Sequence, residues 1–233
     1  SILSHEHFQG GNYTFAMAKA GVETEFTIPE FPTVSAGILK WPMSVIRVSC
    51  EDRKTLEQCC GYILNKWKGY SDPAATIFAE TDGTPHNTIT PIARIRNGKY
   101  ECDLVLRNNI TTEQRPYGLF HPNESLHHIK KENIGLIEVM GLAVLPARLS
   151  KEIPVMVEAL INKTDVTSNE TLASHGAWLN ELYAKYPKAD KDNARAIIEQ
   201  EIGKVFLEVL KDAGVFKRTE EGMIAFARFV ATL

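Results

Sequence analysis

The sequence predicts an α+β protein. Strand-like runs concentrate before residue 150, Asn97-Gly98 joins two of them as a hairpin, and after Pro146 the apolar spacing changes to that of helices. The expected organisation is an α+β body over 1–149 and a helical C-terminal extension over 150–233. No low-complexity linker separates them, so the extension is expected to pack on the body. With 233 residues, 44% apolar and 24% charged, the chain can bury a sizeable core. A net charge of −3 gives no long-range reason to bind nucleic acid or an anionic membrane. Neither a secretory pattern nor a run of about 18 apolar residues occurs, so a cytoplasmic, membrane-free protein is expected. Cys50, Cys59, Cys60 and Cys102 form no C-x-x-C and read as reduced, mostly buried thiols.

In chain order, 22–28 and 43–50 read as strands around a loop containing Pro29, Pro32 and Pro42. Asp52 is placed to cap a helix with Leu56, Cys59, Cys60, Ile63, Leu64 and Trp67 on one face, and Gly69 to end it. Residues 76–79 read as a short buried strand. Runs 88–96 and 99–108 flank Asn97-Gly98, the preferred type I′ pair. Tyr100, Cys102, Leu104 and Leu106 alternate with Glu101, Asp103, Val105 and Arg107, which predicts one buried face. Residues 109–133 are polar and irregular, and 134–145 read as a central apolar strand. Ser150 is placed to cap a helix with Pro154 in its first turn. A helix follows around 170–185. The strongest helical period runs from Ala194 to Leu210 with Gly214 beyond it, and the last helix carries Met223, Phe226, Phe229 and Val230.

The densest chemistry is Ser4-His5-Glu6-His7-Phe8-Gln9-Gly10-Gly11. In an extended segment His5, His7 and Gln9 share one face, and Gly10-Gly11 lets backbone come close to a ligand. By residue type alone it fits a metal pair, a phosphoryl-transfer nucleophile with its helpers, or a polar strand end. This segment stands four residues from a start without methionine, which predicts the C-terminal piece of a longer protein. Among other candidates, His86 and Asn87 stand at a strand entrance behind a turn that Asp82-Gly83 and Pro85 explain without function. Arg107-Asn108-Asn109 ends a strand and could offer donors to a phosphate, or be a solvated terminus. Glu138, in an apolar run, reads as a ligand contact or half of an internal ion pair. The stretch bearing His121, His127 and His128 lacks metal-ligand spacing and reads as a surface loop.

His5-Glu6-His7-Phe8-Gln9-Gly10-Gly11 resembles the His-x-His-x-Gln signature of galactose-1-phosphate uridylyltransferases. The segments 79–91, 103–109 and 127–146 resemble the second class of that family, typical of Gram-positive bacteria, and the resemblance runs through essentially the whole chain. It implies a histidine-triad-like antiparallel sheet with packed helices. It also implies exchange of a uridylyl group between UDP-glucose and galactose-1-phosphate through a covalent uridylyl-histidine. His7 matches the nucleophile, and Gln9 the glutamine that hydrogen-bonds the transferring phosphoryl group. His5 matches a residue that ligates zinc in the first class. Gly10, Gly11, His86, Asn87, Arg107 and Glu138 are the expected substrate-binding positions. A homodimer is implied, together with an N-terminal half of the same protein.

The departures from the first class concern metal. Glu6 replaces a proline, the upstream cysteines and histidine of the zinc site are not in this chain, and Leu106-Arg107-Asn108 stands where a second metal would need His-x-His. Two other readings stay open on the residues. One is a histidine-triad nucleotide hydrolase or phosphorylase. The other is a sugar-nucleotide-binding and dimerisation piece without turnover.

Overall fold

The computed structural model describes residues 8–233. Its strands in chain order are β1 (Val22–Phe26), β2 (Ser35–Leu39), β3 (Val45–Cys50), β4 (Glu80–Thr81), β5 (Thr84–Pro85), β6 (Asn87–Arg96) and β7 (Lys99–Asn108). Its helices are α1 (Ala16–Lys19), α2 (Arg53–Lys68), α3 (Leu136–Val139), α4 (Leu149–Asn162), α5 (Glu170–Ser174), α6 (Gly176–Lys185), α7 (Ala194–Ala213) and α8 (Glu220–Val230). Contacts divide the chain into two units. The first runs through His121 and includes Asn133–Leu142 and Leu210–Leu233; the second comprises Pro122–Glu132 and Ala143–Val209.

The first unit is built on an antiparallel sheet in the order β1-β2-β3-β7-β6, which bears out the α+β expectation. Asn97 and Gly98 take φ of 52° and 76°, the positive values a type I′ turn requires, and β6 and β7 pair from Arg96–Lys99 to Asn87–Asn108. Asp52 caps α2 as expected, its carboxylate accepting the Thr55 N–H at 2.7 Å. Leu56, Cys59, Ile63 and Trp67 of α2 pack on Ile46, Val48, Leu104 and Leu106. Phe216, Phe226 and Phe229 complete this core. The Trp67 indole N–H is shared between the carbonyls of Thr88 and Arg107, 3.0 Å from each, and so ties α2 to the ends of β6 and β7.

The other face of β7 is buried as well, which the alternation did not predict. Glu101 and Asp103 are buried there because arginines meet them. Arg47 grips Asp103 at 2.6 and 2.8 Å, and Arg94 joins Glu101 at 2.5 Å to Asp103 at 2.6 Å. A buried carboxylate is tolerable only on such terms.

Three elements differ from the sequence reading. β2 occupies the proline-bounded loop; Gly37 in it admits Val22 of β1, whose Cγ1 would lie 2.4 Å from any Cβ at that position. Residues 76–79 form no strand: a 3₁₀ turn at Pro73–Ala75 precedes them, and Ile77 alone bridges back to Asp72. The apolar run 134–145 is not a central strand. Residues 136–139 form the helical turn α3, Gly141 takes φ of 96°, and Leu142 and Val144 are exposed.

The second unit is helical. Leu149, Met156, Leu160, Leu172, Leu179, Leu182, Ile198 and Ile202 make its core. Ser150 is not the cap of α4, which begins one residue earlier; its hydroxyl donates to the Ala147 carbonyl at 2.7 Å, and Pro154 falls in the second turn. The helix expected around 170–185 is two, separated at His175. Among the described residues, no helix is long and apolar enough to cross a membrane.

Candidate functional site

His5 and His7 lie outside the described residues. Phe8, Gln9, Gly10 and Gly11 are exposed and irregular, Phe8 being 88% accessible. Among the described residues no atom stands within 4 Å of the place a Cβ would take on Gly10 or Gly11, so on that side their backbone is open to approach. The chain is fixed again at α1. A four-residue helix cannot hold itself in water, and this one is held from outside. Met17 is fully buried, its N–H donates to the Met140 carbonyl at 3.2 Å, and Arg47 donates to the carbonyls of Met17 and Ala20 at 2.9 and 2.8 Å. Arg96 donates to the Ala18 carbonyl. Arg47, which holds Asp103, and Arg96, which pairs with Glu101, therefore also clamp the backbone that follows the glycine pair.

The hairpin's open end gathers three of the expected residues. Register sets Asn87 opposite Asn108 and Thr88 opposite Arg107. The Asn87 amide nitrogen donates to the carbonyls of Trp67 and Tyr70 at 2.7 and 2.8 Å, and its oxygen accepts from Asn108 at 2.7 Å. That amide is spent on holding the strand end. His86 is buried, with Nε2 at 2.9 Å from the Thr81 hydroxyl. Half-buried Arg107 is different: among the described residues its guanidinium makes no hydrogen bond or ion pair. Burial pushes its proton affinity below the usual arginine range, so an anion beside it would be stabilising. Glu138 is buried in α3, where one carboxylate oxygen accepts the Gly135 N–H at 2.8 Å.

A second polar cluster lies in the second unit. His128 Nδ1 is 2.9 Å from His175 Nδ1, and His175 Nε2 is 3.2 Å from Glu152 Oε2. Arg148 closes the ring, donating to Glu152 at 2.6 Å and to the His128 carbonyl at 2.7 Å. Burial, with His175 and Arg148 adding to it, drives the His128 imidazole down to about 4. Burial lowers His175 as well, against the opposing pull of Glu152. His127 stands apart, with Nε2 at 3.1 Å from the Pro122 carbonyl. The sequence reading did not single out Glu152, His175 or Arg148, since partners 47 and 23 residues apart leave no local signal.

The galactose-1-phosphate uridyl transferase C-terminal domain model matches residues 1–178. The chain belongs to that family. It is 55% identical to the galactose-1-phosphate uridylyltransferase of Caldanaerobacter subterraneus subsp. tengcongensis, covering 100% of this chain and 47% of the relative. The protein of that name from Clostridium acetobutylicum is 52% identical over the same shares, and galactose-1-phosphate uridylyltransferase 1 of Streptococcus pneumoniae serotype 4 is 49% identical over 100% and 47%. The chain thus spans about half the length, 47%, of these curated relatives. No solved structure gives a significant match.

For a member of the uridylyltransferase family the next question is whether its donors suit zinc. Among the described residues no group of three or more His, Cys, Asp or Glu side chains is disposed to hold a metal ion. Cys50, Cys59 and Cys102 are buried and Cys60 half-buried, and burial raises the Cys59 thiol to about 12, far from the thiolate a metal needs. The described part of this chain does not fit a zinc centre, and no step below passes through one. His5 lies outside it.

Proposed function

We propose that this chain carries the nucleophile for exchanging a uridylyl group between UDP-glucose and galactose-1-phosphate, as part of a protein about twice its length. The single observation that supports this is similarity without a gap in coverage: relatives 49–55% identical cover the whole chain, and all bear the name galactose-1-phosphate uridylyltransferase.

On this reading the neutral His7 imidazole attacks the α-phosphorus of UDP-glucose. Free imidazole titrates near 6.5, so it is largely unprotonated at neutral pH and needs no strong base. The P–N bond forms as the bond to glucose-1-phosphate breaks, leaving uridylyl-His7. Galactose-1-phosphate then attacks the same phosphorus, forms UDP-galactose and frees the imidazole. Gln9 and backbone N–H groups at Gly10 and Gly11 hold the charge that develops on the phosphoryl oxygens; one such donor contributes roughly 3–4 kcal/mol of barrier lowering. His5 orients the nucleophile. Arg107 brings unspent donors toward a substrate phosphate, His86 and Glu138 line the substrate site, and Asn87 with Asn108 keeps the strand end in place. The same reading makes the longer protein a cytoplasmic homodimer with a histidine-triad-like sheet.

Incubation with UDP-glucose followed by peptide mapping should place a uridylyl group on His7, and subsequent galactose-1-phosphate should discharge it as UDP-galactose. An adduct on another residue, with His7→Ala still competent, overturns the assignment. UMP release that ignores galactose-1-phosphate would place the chain with nucleotide hydrolases instead.

A further inference from the structure

A cavity of about 230 Å³ opens in the first unit, between the loop that leaves β7 and the end of α7. Ala75, Leu119 and Val215 give it an apolar wall, while Thr76, Arg115, Asp212 and Lys217 give it a polar one. The loop carrying Arg115 is held by its own backbone. The Arg115 N–H donates to the Thr112 carbonyl and hydroxyl, both at 3.0 Å, and its carbonyl accepts the Gly118 N–H at 3.0 Å. None of these bonds uses the side chain. Among the described residues the half-buried Arg115 guanidinium makes no hydrogen bond or ion pair.

Lys217 lines the same cavity. The residue is exposed, but its ammonium is turned in, donating to the Asp212 carbonyl at 2.7 Å and the Lys211 carbonyl at 3.4 Å, 5.2 Å from the centre of the Phe120 ring. Both carbonyls belong to the last turn of α7, so this much is a helix cap. An ammonium has three donors, and the cap uses two. Loss of water lowers the Lys217 pKa; Asp212 opposes the fall and Arg115 adds to it. Two cations therefore line one cavity and repel each other, which capping α7 does not require. Asp212 is the one acidic side chain among the lining residues. Thr76 is a β-branched residue at φ 58° and ψ 31°, a left-handed conformation such side chains rarely adopt. Strain of this kind costs free energy and concentrates at ligand sites.

We propose that this cavity binds the phosphate group of a small phosphate ester, held by the Arg115 guanidinium and the third Lys217 donor, with Ala75, Leu119 and Val215 against the carbon that carries it. A guanidinium presents a fork matched to phosphate oxygens, and an ammonium a point charge. A dianion between the two cations replaces repulsion by attraction. At about 230 Å³ the cavity is smaller than a drug-sized pocket, which limits the ester to a few carbons beside its phosphate.

The site does not rest on uridylyl transfer through His7. Methyl phosphate has no uridylyl group, so its binding and the His7 adduct succeed or fail separately. The test titrates ¹⁵N-labelled protein in phosphate-free buffer at pH 7 and constant ionic strength with methyl phosphate, with inorganic phosphate and with glycerol. The Arg115 Nε–H and the Thr76 amide should shift saturably with methyl phosphate, more weakly with inorganic phosphate, and not with glycerol. Arg115→Gln and Lys217→Gln should each weaken the binding about tenfold or more, the scale of one charge-assisted hydrogen bond. Arg115 has no partner among the described residues to lose, so Arg115→Gln should fold. Its thermal midpoint without phosphate should match or exceed that of the unsubstituted protein, while the rise that methyl phosphate gives should shrink. Tighter binding of inorganic phosphate than of methyl phosphate, shifts that chloride reproduces at the same ionic strength, or binding indifferent to both substitutions would each overturn the proposal. Arg115→Gln decides if Lys217→Gln fails to fold.

Discussion

Asp103 shows how a single residue can be both expensive and indispensable. It is 0% exposed and held by Arg47 and Arg94, while Arg47 also carries the carbonyls of Met17 and Ala20. Removing one member of a buried ion network strands the others without solvation, which costs about 3–5 kcal/mol. Asp103→Ala should therefore lower the unfolding free energy by about that amount in urea denaturation. Glu57→Ala breaks an exposed pair with Arg53 and should leave the unfolding free energy close to that of the unsubstituted protein. Equal losses would mean that burial does not set the value of these charges. None of this was legible in the alternation of β7, because a charged residue on a strand reads as a solvent face unless its partner is known. Arg47 lies 56 residues away in sequence.

At the level of elements, the legible ones carry their own punctuation. The β6–β7 hairpin announced itself through Asn97-Gly98, and α2 through Asp52 and Gly69, because these residues act on the backbone beside them. β2 was missed because what makes it a strand is Val22 lying against Gly37, a contact between chains of residues rather than a local preference. The run 134–145 misled for a related reason: a short apolar stretch looks the same whether it becomes strand or helix, and a Gly at each end of α3 settled it. Two glycines separate the local from the tertiary effect. Gly98 has φ of 76° and Gly61 sits inside α2, and neither would meet an atom within 4 Å on gaining a Cβ. Space is equal, so backbone conformation alone sets the sign. Gly98→Ala should destabilise by about 1 kcal/mol or more, and Gly61→Ala should stabilise by roughly 0.5–1 kcal/mol. Matched urea titrations measure both, and a shared sign would contradict the turn geometry.

Across the whole molecule, the two units keep different chemistry. The first holds the open glycine backbone and Arg107, whose guanidinium has no partner among the described residues, both in segments the sequence had marked; what could not be read was the anchoring of α1 and that Asn87 is consumed by the fold. The second holds a cluster assembled from helices, invisible to any window of sequence. That cluster also gives this unit its own acid response. His128 takes a proton near 6.5 when unfolded but only near 4 when folded, and His175 is lowered too. Between those values the unfolded chain binds more protons, so stability present above pH 6.5 is lost as pH falls toward 4. Glu201 extends the trend: burial opposes its charge, but hydrogen bonds from Lys204, Tyr186 and Lys185 outweigh it and hold the carboxyl at about 2. Its contribution, present above the ordinary carboxylate range, is lost below it. Hydrogen exchange, corrected for the intrinsic pH dependence of the rate, should show protection falling in α4 and α6 between pH 6.5 and 4 while β3 and β7 keep theirs. His128→Gln removes the titrating ring and should flatten the change in α4 and α6. Uniform loss across the sheet and the helices, or loss in α4 and α6 unchanged by His128→Gln, would assign the acid response to groups other than His128.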